Sequence, residues 1–370
     1  MTDPLNAAIT WLDEPLVGAA EGPLAGRTLL VKDLIDTAGV RTTYGSRIYA
    51  EHVPEIHASV VQRALDAGAL VVGKANLPEF AWSVLGASPW YGTVHNPVHP
   101  GKTTGGSSAG NAAALAARLV DLGIGTDTGC SIRLPSAACG TVGLKPRWGR
   151  IPLDGVFPLC PSLDTVGPMG RSVADVALLW SVLTGLPVPE PRLEGLTVGL
   201  LRQAPYLGDG RETEASDEAE QWVAGLEQLG ARVVEAAVPG AHADMWPLFL
   251  HEAAESHRAI FPSRAAEYGD VMRVKLEAAQ QVTHEAVSVA YGALAAWRAH
   301  EPDVDLYLSP CFAGDLPDED ADELEVRLPL SSFLRWVNLI GWAGLAIGNL
   351  QLVAPRDETV LAAGLAWERS

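Results

Sequence analysis

Two glycine- and serine-rich clusters joined by an alanine-rich segment constrain this chain more than anything else in it. They lie in residues 99–136, HPGKTTGGSSAGNAAALAARLVDLGIGTDTGCSIRLPS. Gly105, Gly106 and Gly110 surround Ser107 and Ser108, while Gly123, Gly125 and Gly129 lead to Ser131. Glycine at such density lets a backbone adopt positive φ or pass close to another group. One cluster alone reads as a surface turn. Two of them, spanned by a helical segment at 108–119 and a short strand at 120–124, can converge. Convergence would set two hydroxyls beside a row of backbone N–H groups. That is the equipment of acyl transfer, a nucleophile facing an oxyanion hole.

The segments around this stretch alternate between strand and helix. Residues 28–35, TLLVKDLI, form the apolar run of a strand buried on both faces. Residues 58–67 have helical spacing, with Val60, Val61, Ala64 and Leu65 on one side, and 69–72 read as the next buried strand. Residues 1–26 carry a short helical pattern and then a turn. A helical stretch is expected from 76 to about 85, then a long loop to Gly106, and turns with short strands over 140–170. Ser172 is placed to cap a helix over 172–183, with Asp175 at its third position. Beyond it, strands are expected at 196–201, 232–236, 305–309 and 350–353, and helices at 214–229 and 357–368. Residues 242–300 read as largely helical with breaks near Pro262 and Gly269, and the acidic segment 315–325 as a solvated loop. Without a repeat or a linker, this pattern predicts one α/β domain, a central mixed β-sheet covered by helices on both faces, with the Gly/Ser stretch at the sheet's edge.

A net charge of −19 argues against a nucleic-acid partner, which needs a basic footprint. Cys130, Cys139, Cys160 and Cys311 form no C-x-x-C pair, so neither a disulfide framework nor a zinc site is indicated. No signal-peptide pattern and no run of about 20 apolar residues is visible, so a cytoplasmic, soluble chain is expected.

Lys32 is the one cation inside TLLVKDLI. Its stem could pack while its head reaches solvent, with Asp33 as a neighbouring counter-charge. Desolvated instead, it would have a lowered pKa and could act as a neutral base. A Ser–Lys pair is a known variant of the nucleophile–base couple.

GGSSAGNAAAL (105–115) followed by GTDTGCSIRLPSAACGTVGLKP (125–146) resembles the amidase signature family. VKDLIDTAG, VVGKANLPEF, YGTVHNP and SLDTVGPMGRSVADVA fit the same family, as do the spacings from Lys32 to Ser107 and on to Ser131. The similarity is dense over about 26–183, thins through 195–310 and returns over 338–368. It implies one amidase-like domain over 1–370, with a variable, substrate-shaping region at about 190–335 and a closing segment at 336–370. It also implies an amidohydrolase acting on linear amide C–N bonds, which cleaves a small soluble carboxamide through an acyl-serine. In the family's Ser–cis-Ser–Lys triad, Ser131 would be the nucleophile, Ser107 the relay behind a cis peptide bond, and Lys32 the base. Backbone N–H groups of Thr128, Gly129, Cys130 and Ser131 would form the oxyanion hole. Asp127, Arg133 and Ser108 would support them. No metal or cofactor is required. The implied partner is the amide substrate, with a homodimer left open and neither nucleic acid nor membrane expected.

The sequence departs from the family pattern in three places. Cys130 and Ala109 stand where glycine is usual, and the segment between Ile347 and Leu350 is short. A cysteine at 130 would narrow the acyl pocket, and would be strained if that position needed positive φ. Four other readings remain. GSSAG (106–110) would make Ser108 the nucleophile of an α/β-hydrolase, but needs a strand where GKTTG stands. HEAAESH (251–257) approaches a zincin helix, but has Glu255 where histidine is required. The chain could also be an impaired family member with a structural role, or one component of an amidotransferase, whose catalytic chains are usually longer.

Overall fold

The computed structural model of the protein describes residues 3–204, 218–238 and 245–370. Its strands are β1 (Ala8–Val17), β2 (Thr28–Lys32), β3 (Leu70–Ala75), β4 (Ala87–Ser88), β5 (Gly92–Thr93), β6 (Leu122–Asp127), β7 (Val142–Lys145), β8 (Thr165–Gly170), β9 (Thr197–Leu201), β10 (Arg232–Ala236), β11 (Leu306–Pro310), β12 (Ala343–Ile347) and β13 (Leu350–Ala354). The helices are α1 (Ser59–Asp66), α2 (Ala109–Ala116), α3 (Arg133–Ala138), α4 (Val173–Thr184), α5 (Glu218–Gln228), α6 (Trp246–His257), α7 (Asp270–Ala279), α8 (His284–Arg298), α9 (Glu323–Ser331), α10 (Arg335–Ile340) and α11 (Asp357–Glu368). Among the described residues, eleven strands form one mixed sheet in the order β1-β3-β2-β6-β8-β7-β12-β13-β11-β9-β10, and β4 and β5 form a small separate ribbon. Among the same residues, no helix is long and apolar enough to cross a membrane.

Side chains of β2 explain how both faces of the sheet are covered. Leu29 and Val31 pack with Val60, Val61, Ala64 and Leu65 of α1 and with Leu179 and Leu183 of α4. Leu30 points the other way, into Ala112, Ala113 and Leu115 of α2. Strand alternation thus feeds two helical layers. The fold is α/β, as expected. The Gly/Ser stretch, however, belongs to inner elements. It runs through β6, which pairs with β2 on one side and β8 on the other, so its loops meet at the carboxyl ends of central strands.

The cap expected at Ser172 is present, its Oγ accepting the Asp175 N–H at 3.0 Å. Other expectations need correction. The N-terminal segment is an edge strand, β1, where the sequence suggests a short helical pattern. Two register shifts interrupt its pairing with β3, so the period-two alternation that marks a strand is absent from the sequence. Residues 76–85 contain only a 3-10 turn, Glu79–Ala81, because Phe80 (φ 49°) and Ala81 (φ 59°) leave the helical region. The acidic segment is a largely exposed loop up to Asp322, as expected, but α9 begins at Glu323 and ion pairs tether it: Asp318 pairs with Lys102 at 2.8 Å, Glu319 with His95 at 2.9 Å and Glu323 with Lys275 at 2.9 Å. Of the expected helices, the portions at 214–217 and 242–244 lie outside the described residues.

Close packing of α2 against the sheet depends on one missing side chain. A Cβ on Gly110 would sit 2.1 Å from the Ala7 carbonyl oxygen and 2.6 Å from the Asn76 nitrogen. Helix propensity alone would make Gly110→Ala a gain of about 0.8–1.0 kcal/mol. Backbone overlap reverses the sign, and we expect a loss of about 1–3 kcal/mol by urea unfolding. Gly129→Ala, whose Cβ would meet nothing nearer than Arg335 Cγ at 3.8 Å, should leave the midpoint nearly unchanged.

Candidate active site

Strands β2 and β6 run parallel, so their carboxyl ends, Lys32 and Thr126–Asp127, lie side by side. The Gly-rich turn before α2 comes down beside them. Lys32 is fully buried, and its Nζ donates to Ser107 Oγ at 2.7 Å, Thr126 Oγ1 at 2.8 Å and Ser108 Oγ at 3.0 Å. The alternative of a solvated lysine paired with Asp33 does not hold. Asp33 turns to Lys74 at 3.5 Å and accepts the Thr43 hydroxyl at 2.6 Å. Burial pulls the Lys32 ammonium down from its ordinary 10.5 to about 7, against the opposing pull of Asp127.

Two bonds set the serines. The Gly106–Ser107 peptide is cis. Ser108 N–H donates to the Ser131 carbonyl at 3.0 Å, which joins the two Gly/Ser clusters directly. Ser108 Oγ also donates to the Thr126 carbonyl at 3.3 Å. Residues 101–105 form no strand, so Ser108 does not stand on the strand-to-helix elbow that the α/β-hydrolase reading requires. The HEAAESH segment likewise goes to other contacts: Glu252 accepts the Ser162 hydroxyl at 2.5 Å, and His257 Nδ1 meets the Tyr268 hydroxyl at 2.9 Å.

The loop from Thr128 to Ser131 is shaped by the carboxylate that precedes it. Asp127 Oδ2 accepts the Ile132 N–H at 3.1 Å and bends the chain into α3. Arg133 clamps the same carboxylate through Nε and Nη2, both at 3.0 Å. Burial would raise the Asp127 carboxyl, but the Arg133 guanidinium and the Asn338 amide hold it below its ordinary value. Thr128 Oγ1 donates to Asp164 Oδ1 at 2.6 Å, which fixes the other end of the loop. Backbone N–H groups of Gly129, Cys130 and Ser131 donate to no other described residue. The loop is therefore held from outside while its own donors stay uncommitted.

Several of these partners were not singled out from the sequence. Thr126 contacts Lys32 directly. Asn338 Nδ2 donates to Asp127 at 2.9 Å, and Arg133 Nη1 donates to Gln351 at 2.8 Å. Asp164, Asn338 and Gln351 all lie inside phrases that carry the resemblance. Their roles are invisible there because each partner comes from a distant part of the chain.

Amidase is the family whose sequence profile matches residues 3–344. The chain belongs to the amidase family. It is 40% identical over 264 residues to the A subunit of a glutamyl-tRNA(Gln) amidotransferase from Symbiobacterium thermophilum, covering 67% of this chain and 54% of that one. The protein of the same name from Natronomonas pharaonis is 36% identical over 282 residues, covering 71% and 66%. The chain thus spans between about half and two thirds of these curated relatives. Among solved structures, one described as an amidase superposes with a TM-score of 0.80 at 30% identity, covering 94% of this chain and 85% of the other. A 6-aminohexanoate cyclic dimer hydrolase bound to substrate gives 0.81 at 25% identity, covering 94% and 85%.

Cys130, where this chain departs from the family's usual glycine, has an ordinary negative φ, so the strain considered for it does not arise. Its side chain is buried with Leu134, Phe312, Leu330 and Leu334, and that burial pushes the thiol up to about 12. Cys130→Gly should therefore lower stability by about 1–3 kcal/mol instead of raising it. A rise in the thermal midpoint would show that the cysteine strains the loop.

Proposed function

We propose that this chain hydrolyses the C–N bond of a small carboxamide through an acyl-Ser131 intermediate. The observation that carries the reading is the buried Lys32 Nζ lying 2.7 Å from Ser107 Oγ with a pKa near 7. A neutral amine keeps two N–H donors and one lone pair, and three hydroxyls surround it. One of them, Ser107, can then donate its proton to Nζ and receive the proton of Ser131. The Ser131 oxygen attacks the amide carbonyl, and the developing oxyanion is met by the N–H groups of Thr128, Gly129, Cys130 and Ser131. One such donor is typically worth about 2.7–4 kcal/mol of barrier. The proton returns from Lys32 through Ser107 to the nitrogen as the C–N bond breaks. Ammonia or an amine leaves, and water hydrolyses the ester with Lys32 again as the base. Asp127 and Arg133 act on none of the reacting atoms; they hold the loop.

A second reading has its own support, since the curated relatives carry the name of an amidotransferase component. Under it, the same chemistry would serve an assembly with partner chains. Ammonia release from simple amides by the purified chain alone separates the two readings.

Ser131→Ala should abolish hydrolysis and labelling by a fluorophosphonate. Lys32→Ala should lower kcat for amides by about 10²–10⁴-fold, and less for activated esters, whose leaving group needs little protonation. Full amide turnover by either variant would overturn the assignment.

The pH dependence has a definite sign. Lys32 accepts a proton only when neutral, so kcat/KM should rise with pH through a midpoint near 7 and then level off. Stability follows the same direction. The folded value is below the unfolded one, so between about 7 and 10.5 the unfolded chain binds the extra proton, and Lys32 favours the folded state more as pH rises. A flat profile from pH 6 to 8 would remove Lys32 as the base.

A further inference from the structure

An open cleft of about 920 Å³ lies on the same rim of the sheet as Lys32 and Ser131, several strands farther along. Its walls come from the segment after β7, the starts of β9, β10 and β12, and the segment after β13. Five arginines line it, Arg147, Arg192, Arg232, Arg298 and Arg356. Three carboxylates share the walls: Glu301, Asp303 and Asp305. Asp305 is engaged with the Thr197 N–H at 2.8 Å. Arg298 is held in place, stacked over the Trp148 ring at 4.0 Å and donating to the Ser162 carbonyl.

The other four arginines are exposed, and none makes a side-chain hydrogen bond or an ion pair with a described residue. Among the described residues the other exposed arginines without such a partner are Arg118 and Arg369, each standing alone, whereas most arginines elsewhere are paired. Arg27 pairs with Asp175, Arg171 with Asp121, Arg264 with Glu267, and Arg273 with both Asp270 and Glu277. A chain with 45 acidic residues against 26 basic ones has carboxylates to spare. Here five arginines share one concavity with three carboxylates, and four of those arginines pair with none of them. Guanidinium groups present paired donors that match phosphate oxygens, and a concave wall focuses their field.

We propose that this cleft binds a small ligand carrying two or more phosphate groups. The site is separate from the Lys32–Ser131 centre but touches an element that serves it. Ile340 and Gly341 line the cleft, and Asn338 on the preceding turns of α10 bonds Asp127.

The test is isothermal titration of the full chain with sodium orthophosphate, tripolyphosphate and adenosine triphosphate in low-salt buffer. Expected is one saturable site that binds tripolyphosphate at least ten-fold tighter than orthophosphate and weakens with added salt. Arg192→Gln/Arg356→Gln should weaken tripolyphosphate at least ten-fold with an unchanged thermal midpoint. The charge-matched Arg118→Gln/Arg369→Gln, altering exposed arginines outside the cleft, should stay within two-fold. Equal affinity for tripolyphosphate and the nucleotide assigns the site to the phosphate chain, and tighter nucleotide binding adds a base contact at Trp148; both support the proposal. No saturable binding, no preference for the longer anion, or an equal loss in the control pair would overturn it. So would an RNA oligomer that binds more tightly than either anion and loses affinity in the same cleft variant.

Discussion

A lysine buried without a carboxylate within ion-pairing distance is the constraint around which this structure is arranged. Lys32 ends β2 inside the protein, and the groups that reach its Nζ are three hydroxyls, from Ser107, Ser108 and Thr126. Hydroxyls satisfy an amine in either protonation state, whereas a paired carboxylate would hold it charged. The adjacent Asp33 is kept away by a lysine of its own, Lys74, and by Thr43. The result is an amine that titrates near neutrality, which an ordinary surface lysine cannot do.

The second requirement is a loop with free donors, and its solution is electrostatic. Asp127 is fully buried, a costly place for a carboxylate unless it is paired and hydrogen-bonded. Arg133, Asn338 and the Ile132 N–H supply that pairing. Removing Arg133 would strand a buried charge, so the pair specifies one loop geometry more than it adds net stability. Because Arg133 also reaches Gln351 on β13 and the Leu334 carbonyl, the last part of the chain is wired into the loop. The short β12–β13 turn, Gly348–Asn349, sits at the far end of that hairpin from Ala343 and Ala354.

Glycine contributes here by absence. Gly106 has backbone oxygens of Leu85 and Ser83 where its Cβ would stand, at 2.5 and 2.8 Å, and Gly125 on β6 leaves room for Ser108 Oγ and Met169 Sδ. These contacts bring α2 and its preceding turn near enough for Ser107 to touch Lys32. Cys130 shows the converse. A side chain is accepted there because it turns into an apolar cluster beneath the loop and the backbone keeps a negative φ.

The sequence by itself determined the elements whose periodicity is local. The apolar faces of α1, the Ser172 cap of α4, β10 at Arg232–Ala236 and α11 at Asp357–Glu368 all follow from neighbours a few residues apart. The two Gly/Ser clusters were legible for the same reason, and Lys32 stood out as a cation in an apolar run. Tertiary structure alone decided what these groups meet. Whether Lys32 snorkels or is buried depends on β6 closing over it, and whether Asp33 or Ser107 faces it depends on where Lys74 lies. β1 escaped sequence reading because bulges erase its alternation, and Asn338 and Gln351 because their partner, the Asp127–Arg133 pair, lies about 200 residues away. Local spacing encodes helix and strand, whereas a buried charge is paired by whichever segments the completed sheet brings together.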